Sequence, residues 1–186
     1  MNQKVKATLF GLGQGILDGK VEVTIVGKRS DGGFVVEYEG VYYQAIRKPE
    51  TGEYFVNLGS KVNPPLTILL VRPDRSAHVK DITDTVELRY ILHQHYDIIF
   101  TRRLPEPYCM ARKEEYACIG LPVNEVGSWI SFSDETCLNV EGDVILMKRK
   151  TPTDPKATVL ASLTEKNIQY LVKRFDLDLV VEDNPE

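Results

Sequence analysis

The chain has 186 residues, of which 42% are hydrophobic and 27% are charged, and its formal net charge is −4. This composition is typical of a globular protein and excludes a disordered chain, and no apolar run approaches the roughly 20 residues that cross a bilayer. Because the net charge is acidic and no basic block occurs, we expect no strong direct binding of nucleic acid. The N-terminus lacks an apolar signal segment, so we expect a cytoplasmic protein.

The first 63 residues are predicted to form a small antiparallel β domain, similar to a meander or a small barrel. Glycine-containing turns separate its strand patterns, which cover residues 5–10, 21–26, 34–38, 41–47 and 54–56. The Gly11-Leu12-Gly13 segment follows a strand, as a phosphate-binding loop does. No helix is predicted directly behind it, however, so a hairpin loop is the preferred interpretation.

This β domain is rich in tyrosine, with Tyr38, Tyr42, Tyr43 and Tyr54 in a short stretch. Strand alternation buries about half of such residues, so a role in the core or on an ordinary surface is one interpretation. Exposed tyrosines would instead form a binding face, because tyrosine offers a large amphipathic area at low entropic cost. The sequence leaves both interpretations open.

A boundary is predicted at Asn63-Pro64-Pro65, since consecutive prolines cannot continue a strand ladder. We therefore predict domains 1–63 and 66–186, the second being an α+β domain with a mixed sheet and two helices. Its first elements are strands 66–71 and 77–82. A capping box of Asp84 and Glu87 then opens a helix that places His95 on its apolar face.

An irregular connection is predicted after a strand over residues 96–100. It carries Arg102 and Arg103, and Arg112 lies downstream in the same basic segment. These arginines would either clamp a phosphate or carboxylate or form a solvated loop. Further along the chain, residues 129–132 alternate like a strand, and residues 144–147 predict a buried strand.

The last helix is predicted from a capping box of Ser162 and Glu165, with Ile168, Leu171, Val172 and Phe175 on one face. Residues 177–181 are predicted to add an edge strand. The tail from Asp176 to the C-terminus has five acidic residues and no basic one.

No catalytic or metal signature is present. The cysteines Cys109, Cys118 and Cys137 are odd in number and lack Cys-x-x-Cys spacing, so buried reduced thiols are expected. His93 and His95, two residues apart, cannot chelate one metal from a regular helix. We therefore predict no cofactor, no metal and no enzymatic activity.

From Leu66 onward, the order of elements resembles an uncharacterised domain family of phages and conjugative elements in gut Firmicutes. The resemblance rests on residues 68–73, 79–82, 140–145 and 162–165, and most specifically on Gly120-Leu121-Pro122-Val123-Asn124. The segment 102–114 is longer and more basic than in that family. Residues 21–56 are similar to N-terminal modules of such mobile-element proteins.

The resemblance implies a mobile-element accessory protein, and such proteins commonly inhibit host defence, as anti-CRISPR and antirestriction proteins do. The leading hypothesis is thus a non-enzymatic protein that binds a host defence protein, with an RNA-guided (CRISPR) nuclease or its nucleic-acid complex as the first candidate. A small-molecule or nucleotide-binding (sponge) protein is the alternative, and an uncharacterised enzyme comes third. The predicted partner-binding residues are Tyr38, Tyr42, Tyr43, Tyr54, Arg102, Arg103, Arg112, Asp176, Asp178, Glu182 and Asp183.

Overall fold

A computed structural model of the chain describes residues 3–11, 16–93, 95–114, 120–132, 139–150 and 159–180. In these residues the protein consists mostly of strands, with three helices, a closed barrel and a separate mixed sheet. The predicted α+β class is therefore confirmed.

The chain divides into two compact units. The barrel unit contains Met1–Pro65 and Ile82–Glu87. The sheet unit contains Leu66–Asp81 and Leu88–Glu186. Each unit is described separately below.

Five strands form the barrel, and they follow one another around it in chain order. They are β1 (Gln3–Phe10), β2 (Ile16–Lys28), β3 (Phe34–Tyr38), β4 (Val41–Arg47) and β5 (Tyr54–Lys61). Consecutive strands are antiparallel, whereas β1 and β5 pair in parallel. The parallel pair follows from the odd number of strands, because the first and fifth strands of an up-and-down meander run in the same direction.

Alternation along these strands builds the barrel core. Its fully buried members are small or β-branched for the most part, and they include Val23, Ile25, Val36 and Val56. The β3–β4 hairpin closes on Glu39 and Gly40, whose φ angles are 51° and 75°. Two consecutive left-handed residues define the type I′ turn, whose twist matches that of the flanking strands.

The described residues of the sheet unit form seven strands. They are β6 (Leu66–Val71), β7 (Ser76–Ile82), β8 (Tyr96–Ile99), β9 (Tyr108–Lys113), β10 (Val144–Arg149), β11 (Leu160–Ala161) and β12 (Asp178–Val180). Their order is β12-β7-β6-β10-β9-β8, and β11 pairs with β10. The β12–β7 pair is parallel, whereas β10 is antiparallel to β6, β9 and β11, so the sheet is mixed as predicted.

Three helices complete the described structure: α1 (Val86–Ile91), α2 (Glu125–Ser131) and α3 (Glu165–Phe175). Within the sheet unit, α2 and α3 contribute Val126, Ile130, Ile168, Leu171 and Phe175 to a core shared with β6, β9 and β10. The central strand β10 is buried on both faces from Val144 to Met147. The predicted helical face of α3 and the predicted strands 66–71 and 144–147 are thus confirmed.

The strand predicted over residues 129–132 is wrong, because these residues belong to α2 or follow it directly. The helix begins after Asn124, whose side-chain oxygen accepts a hydrogen bond from the Gly127 amide at 2.9 Å. Val126 and Ile130, four residues apart, form its buried face. Seven residues form only about two helical turns, which are too few for a clear helical period. The short apolar alternation therefore indicated a strand by mistake.

The basic segment is also corrected. The solvated-loop interpretation of this segment extended to Arg112 and Lys113, but both residues belong to β9, whose Cys109, Met110 and Ala111 are fully buried. Because the end of this strand is charged, its sequence pattern resembles that of a solvated loop. The strand is stabilised here by its neighbours β8 and β10.

Neither predicted capping box forms between the predicted residues. The N-cap of α3 is Thr164, not Ser162, and it forms a reciprocal capping box with Asn167. At α1, Asp84 accepts from the Glu87 amide at 3.1 Å, but the Glu87 carboxylate accepts from the amide of Thr83 at 2.9 Å instead of that of Asp84.

The end of α1 differs from the prediction as well. The helix ends at Ile91, and His93 has a left-handed φ of 55°. His95 therefore lies outside the helix and does not share its apolar face. The sequence also predicts an apolar strand that leads into Gly120, but its residues 115–119 lie outside the described residues. The predicted edge strand is present as β12.

Candidate functional site

The four barrel tyrosines are all half-buried. Tyr38, Tyr43 and Tyr54 pack against the barrel core, and the ring of Tyr54 meets Phe34 edge-on at 5.3 Å between centroids. The side chain of Tyr42 is not part of that core cluster. Tyr38, Tyr43 and Tyr54 thus divide their ring surfaces between core and solvent, and a role of the four tyrosines in partner binding stays a prediction.

The three predicted arginines have different environments. Arg102 is exposed in the turn before β9. Arg103 is held against α2, because its Nη1 donates to the Trp129 carbonyl oxygen at 3.1 Å. Its guanidinium carbon lies 5.0 Å from the Trp129 ring centroid and 4.3 Å from that of Phe132. Arg112 lies within β9, opposite Asp97 of β8 and Val144 of β10.

Arg103 is part of a larger arrangement that joins α2 to α3. Trp129 contacts the ring of Phe175 edge-on at 6.0 Å between centroids. Arg174 donates to the Arg103 carbonyl oxygen at 3.1 Å, and its guanidinium carbon lies 5.8 Å from the Phe175 ring centroid. Two arginines and two aromatic rings are thereby fixed relative to one another.

Tyr170 extends this arrangement along α3, one helical turn before Arg174. Its ring stacks on that of Tyr108, with centroids 5.7 Å apart and planes inclined by 16°. The Tyr108 hydroxyl accepts a hydrogen bond from Asn167 at 2.9 Å, and this bond orients the Tyr108 ring on which Tyr170 stacks.

We call this surface the aromatic–arginine face, and its members are Arg103, Trp129, Phe132, Tyr170 and Arg174. Trp129 is 48% exposed and Tyr170 is 42% exposed, although each packs on another ring. Large rings that are ordered before binding contribute apolar contact at little entropic cost, and arginine adds planar donors for carboxylates. Tryptophan, tyrosine and arginine are the residues enriched at the energetic centres of protein interfaces.

The acidic residues lie elsewhere in the sheet unit. Asp176 caps α3 in the left-handed conformation, with φ of 50°, and its carboxylate is 3.6 Å from the Arg75 guanidinium. Asp178 is exposed on β12. Glu182 and Asp183 lie outside the described residues.

The corner at residues 120–124 is centred on Asn124, which is fully buried. Its Nδ2 donates to the Val71 carbonyl oxygen at 3.0 Å and to the Gly142 carbonyl oxygen at 3.1 Å. Its Oδ1 caps α2 through the Gly127 amide. One side chain therefore ties the end of β6, the turn before β10 and the start of α2, which is an architectural role.

Chemical signals in the described residues are few. Burial raises the pKa of the Cys109 thiol to about 11, although nearby Arg149 opposes this shift, so Cys109 is protonated at neutral pH and a poor nucleophile. In the described part of the chain, no group of three or more His, Cys, Asp or Glu is placed to hold a metal. Nor does any helix there have the length and apolar character needed to span a membrane.

Comparison of the chain with protein-family models, curated proteins and solved structures gives no match. The resemblance to a mobile-element family thus stays a prediction.

Sequence reasoning missed Trp129, Tyr170 and Arg174 as surface residues. The helical period of α3 already indicated that Tyr170 and Arg174 lie away from Ile168 and Leu171. Trp129 could not be found in this way, because its segment was assigned to a strand.

Proposed function

We propose that the protein is a non-enzymatic binding protein that inhibits a host defence protein by covering one of its functional surfaces. The setting comes from the resemblance to phage and mobile-element proteins. The observation that carries the proposal is the aromatic–arginine face, in which an exposed tryptophan and tyrosine lie beside two arginines in a prearranged cluster. In this proposal the protein acts in the cytoplasm.

The contacts within this face support protein binding. Arg103 and Arg174 are oriented by hydrogen bonds to backbone carbonyl oxygens, so little side-chain entropy remains to be lost when a partner binds. The exposed edges of Trp129 and Tyr170 would fill apolar pockets. The guanidinium groups would pair with carboxylates around those pockets, so the expected partner surface is apolar at its centre and acidic at its rim.

The first candidate partner is an RNA-guided nuclease of the host. The test is DNA cleavage by the purified nuclease–guide complex in the presence of increasing amounts of this protein, with a pull-down from host lysate to identify other defence proteins. We expect cleavage to fall as the protein saturates the nuclease.

Variants connect the effect to the face. Trp129→Ala and Arg174→Glu should each weaken inhibition by about tenfold or more, as loss of an interface centre does. Tyr90→Ala is the matched control, because Tyr90 is an aromatic residue of the sheet unit that is 66% exposed but lies outside the face. Unimpaired cleavage, together with a pull-down that recovers no defence protein, would contradict the proposal.

A further inference from the structure

A pocket of about 240 Å³ lies in the sheet unit, apart from the aromatic–arginine face. Strand register explains its position, since Val144 at the start of β10 is paired with both Val71, the last residue of β6, and Arg112, near the end of β9. The segments that leave β6 and β9 and the segment that enters β10 therefore meet at one edge of the sheet. We call the space between them the corner pocket.

Apolar and charged residues line different parts of this pocket. Its apolar wall comes from Pro73, Ile91, Leu92, Leu121 and Pro122. Its polar groups are His93, Lys113 and Asp143, while Gly142 contributes backbone. Three stretches that define the family resemblance, 68–73, 120–124 and 140–145, thus each contribute to the same cavity.

Hydrogen bonds connect the segments that form the wall of the pocket. The Gly142 amide donates to the Pro122 carbonyl oxygen at 2.8 Å, and Asn124 holds the Gly142 carbonyl oxygen from behind. Gly142 has φ of 76°, and a Cβ at this position would lie 3.0 Å from Cδ1 of Leu121. The absence of a side chain at Gly142 therefore allows the backbone to lie close to Leu121.

The charged groups of the pocket are available. Within the described residues, neither the Lys113 ammonium nor the Asp143 carboxylate takes part in a salt bridge or hydrogen bond, although both side chains are half-buried. Burial raises the pKa of Asp143, and the positive charges of Arg72 and His93 partly offset this shift. A partly desolvated carboxylate and ammonium that do not pair with each other would both gain from a ligand with complementary charges.

We infer that the corner pocket binds a small zwitterion of the amino-acid type with an apolar side chain. Lys113, assisted by His93, would receive the ligand carboxylate, and Asp143 would receive its ammonium group. The apolar side chain would lie against Ile91, Leu92 and Leu121. The volume is below the roughly 300–1,000 Å³ of pockets that hold drug-sized ligands, which favours a small metabolite over a nucleotide.

The inference does not depend on the proposed inhibition of host defence. Its test uses the full chain, with L-leucine and L-phenylalanine as probes in isothermal titration calorimetry and thermal denaturation. At concentrations well above the dissociation constant, we expect either amino acid to raise Tm by about 3 °C. The desamino analogue 3-phenylpropionate and the decarboxylated analogue phenethylamine should each bind about tenfold more weakly than L-phenylalanine.

Variants assign the two charges to residues. Lys113→Met should weaken binding of L-phenylalanine about tenfold but change phenethylamine binding little. Asp143→Asn should also weaken binding of L-phenylalanine about tenfold, but it should change binding of 3-phenylpropionate little, because that ligand has no ammonium group. Lys173→Met and Asp97→Asn are matched controls on exposed positions outside the pocket. Circular dichroism verifies that each variant folds.

Three results would overturn the inference. They are the absence of binding by both amino acids to the unmodified protein, equal binding of L-phenylalanine and 3-phenylpropionate, and binding that persists unchanged in both folded pocket variants. The first two need no variant, so they hold even if a substitution prevents folding.

Discussion

The barrel unit and the sheet unit hold their strands together in different ways. In the barrel, antiparallel neighbours are consecutive in the chain, and short turns such as Glu39-Gly40 set their register. In the sheet unit, the central strand β10 pairs with β6. The paired residues Val144 of β10 and Val71 of β6 are far apart in sequence. The barrel therefore depends on local turns, whereas the sheet depends on junctions between distant segments.

Asn124 is the clearest such junction, because one buried amide serves three separate elements. The difference between the units shows where a single polar side chain contributes most to stability. It does so where the elements that it joins are not linked by a short turn of the chain. Substitutions at junctions and at turns can therefore break or sharpen this comparison.

The largest effect is expected from Asn124→Asp. The substitution keeps the shape but replaces the Nδ2 donor by an oxygen that faces the Val71 and Gly142 carbonyl oxygens, and it buries a charge without a partner. We expect the free energy of unfolding to fall by about 3–5 kcal/mol. Urea denaturation followed by fluorescence of Trp129, the single tryptophan of the chain, measures it within the sheet unit.

The matched control for this change is Asn57→Asp in the barrel. The Asn57 side chain is half-buried and accepts from the Gly59 amide, a bond that aspartate retains. Its Nδ2 donates to the Ser60 hydroxyl, which can donate in turn to an aspartate oxygen. The loss of stability should stay below about 1 kcal/mol. Equal losses at Asn57 and Asn124 would contradict the proposed difference between the units.

A smaller effect is expected from Gly127→Ala. A Cβ at Gly127 would lie 2.7 Å from Cγ1 of Val144 and 3.0 Å from Cγ1 of Val140, so α2 must move away from the sheet. We expect a loss of about 1–3 kcal/mol, reduced somewhat by the better helix propensity of alanine.

The double variant Gly127→Ala/Val144→Ala sharpens this test, since it removes the atom that the new Cβ would meet. Its loss of stability in urea denaturation should be smaller than the sum of the two single losses. Strict additivity would mean that the contact with Val144 does not limit the approach of α2.

At the barrel turn, Gly40→Ala is expected to cost about 1 kcal/mol. The space around Gly40 is open, so only the left-handed backbone opposes the alanine side chain. Gly40→Asn should retain most of the stability, because asparagine tolerates this conformation. Thermal denaturation followed by far-ultraviolet circular dichroism compares the three proteins, and an unaltered Tm for Gly40→Ala would argue against a turn-dependent barrel.

The smallest effect, and the only gain, is expected from Asp143→Asn. Burial raises the pKa of Asp143 above its ordinary value of 3.8, so the folded state binds the proton more readily than the unfolded state does. Stability is therefore lost as pH rises from the unfolded pKa through the folded one, and the full loss is present at neutral pH. Removing the charge should raise Tm at pH 7 by at most about 2 °C, because the side chain is partly solvated.

Thermal denaturation at several pH values between about 4 and 7 checks the sign. The advantage of Asp143→Asn should shrink toward the acidic end. A destabilised Asp143→Asn variant at pH 7 would mean that the carboxylate is favourably paired in the folded protein.

The two units also differ in how much of their structure the sequence predicted. The limits of β3 and β4 were predicted correctly from alternation and turn residues, because both signals act within a few positions. In the sheet unit, long apolar strands and the periodic helix α3 were predicted, but α2 and β9 were not. Their assignment depends on Asn124 and on pairing with β10, which no local pattern contains.

In the candidate sites, too, local patterns predicted some features, and contacts between distant segments determined the others. Sequence reasoning did not identify Tyr170 and Arg174, although the helical pattern of α3 contains the signal that places them outside its buried face. No local pattern brings Arg103 and Trp129 beside them. Nor did local spacing indicate that Lys113 and Asp143 line one pocket, since the end of β9 and the start of β10 become neighbours only through sheet register.

By itself, the sequence determined the α+β class, the barrel hairpins, the buried strands and the amphipathic last helix, because propensity and periodicity act over short distances. It also contained, at residues 120–124, the motif on which the family resemblance most specifically rests. Only the tertiary structure decided that Asn124 joins three elements there, and that the same corner forms one wall of a pocket. Those outcomes depend on hydrogen bonds and packing between residues far apart in the chain, which a local pattern does not encode.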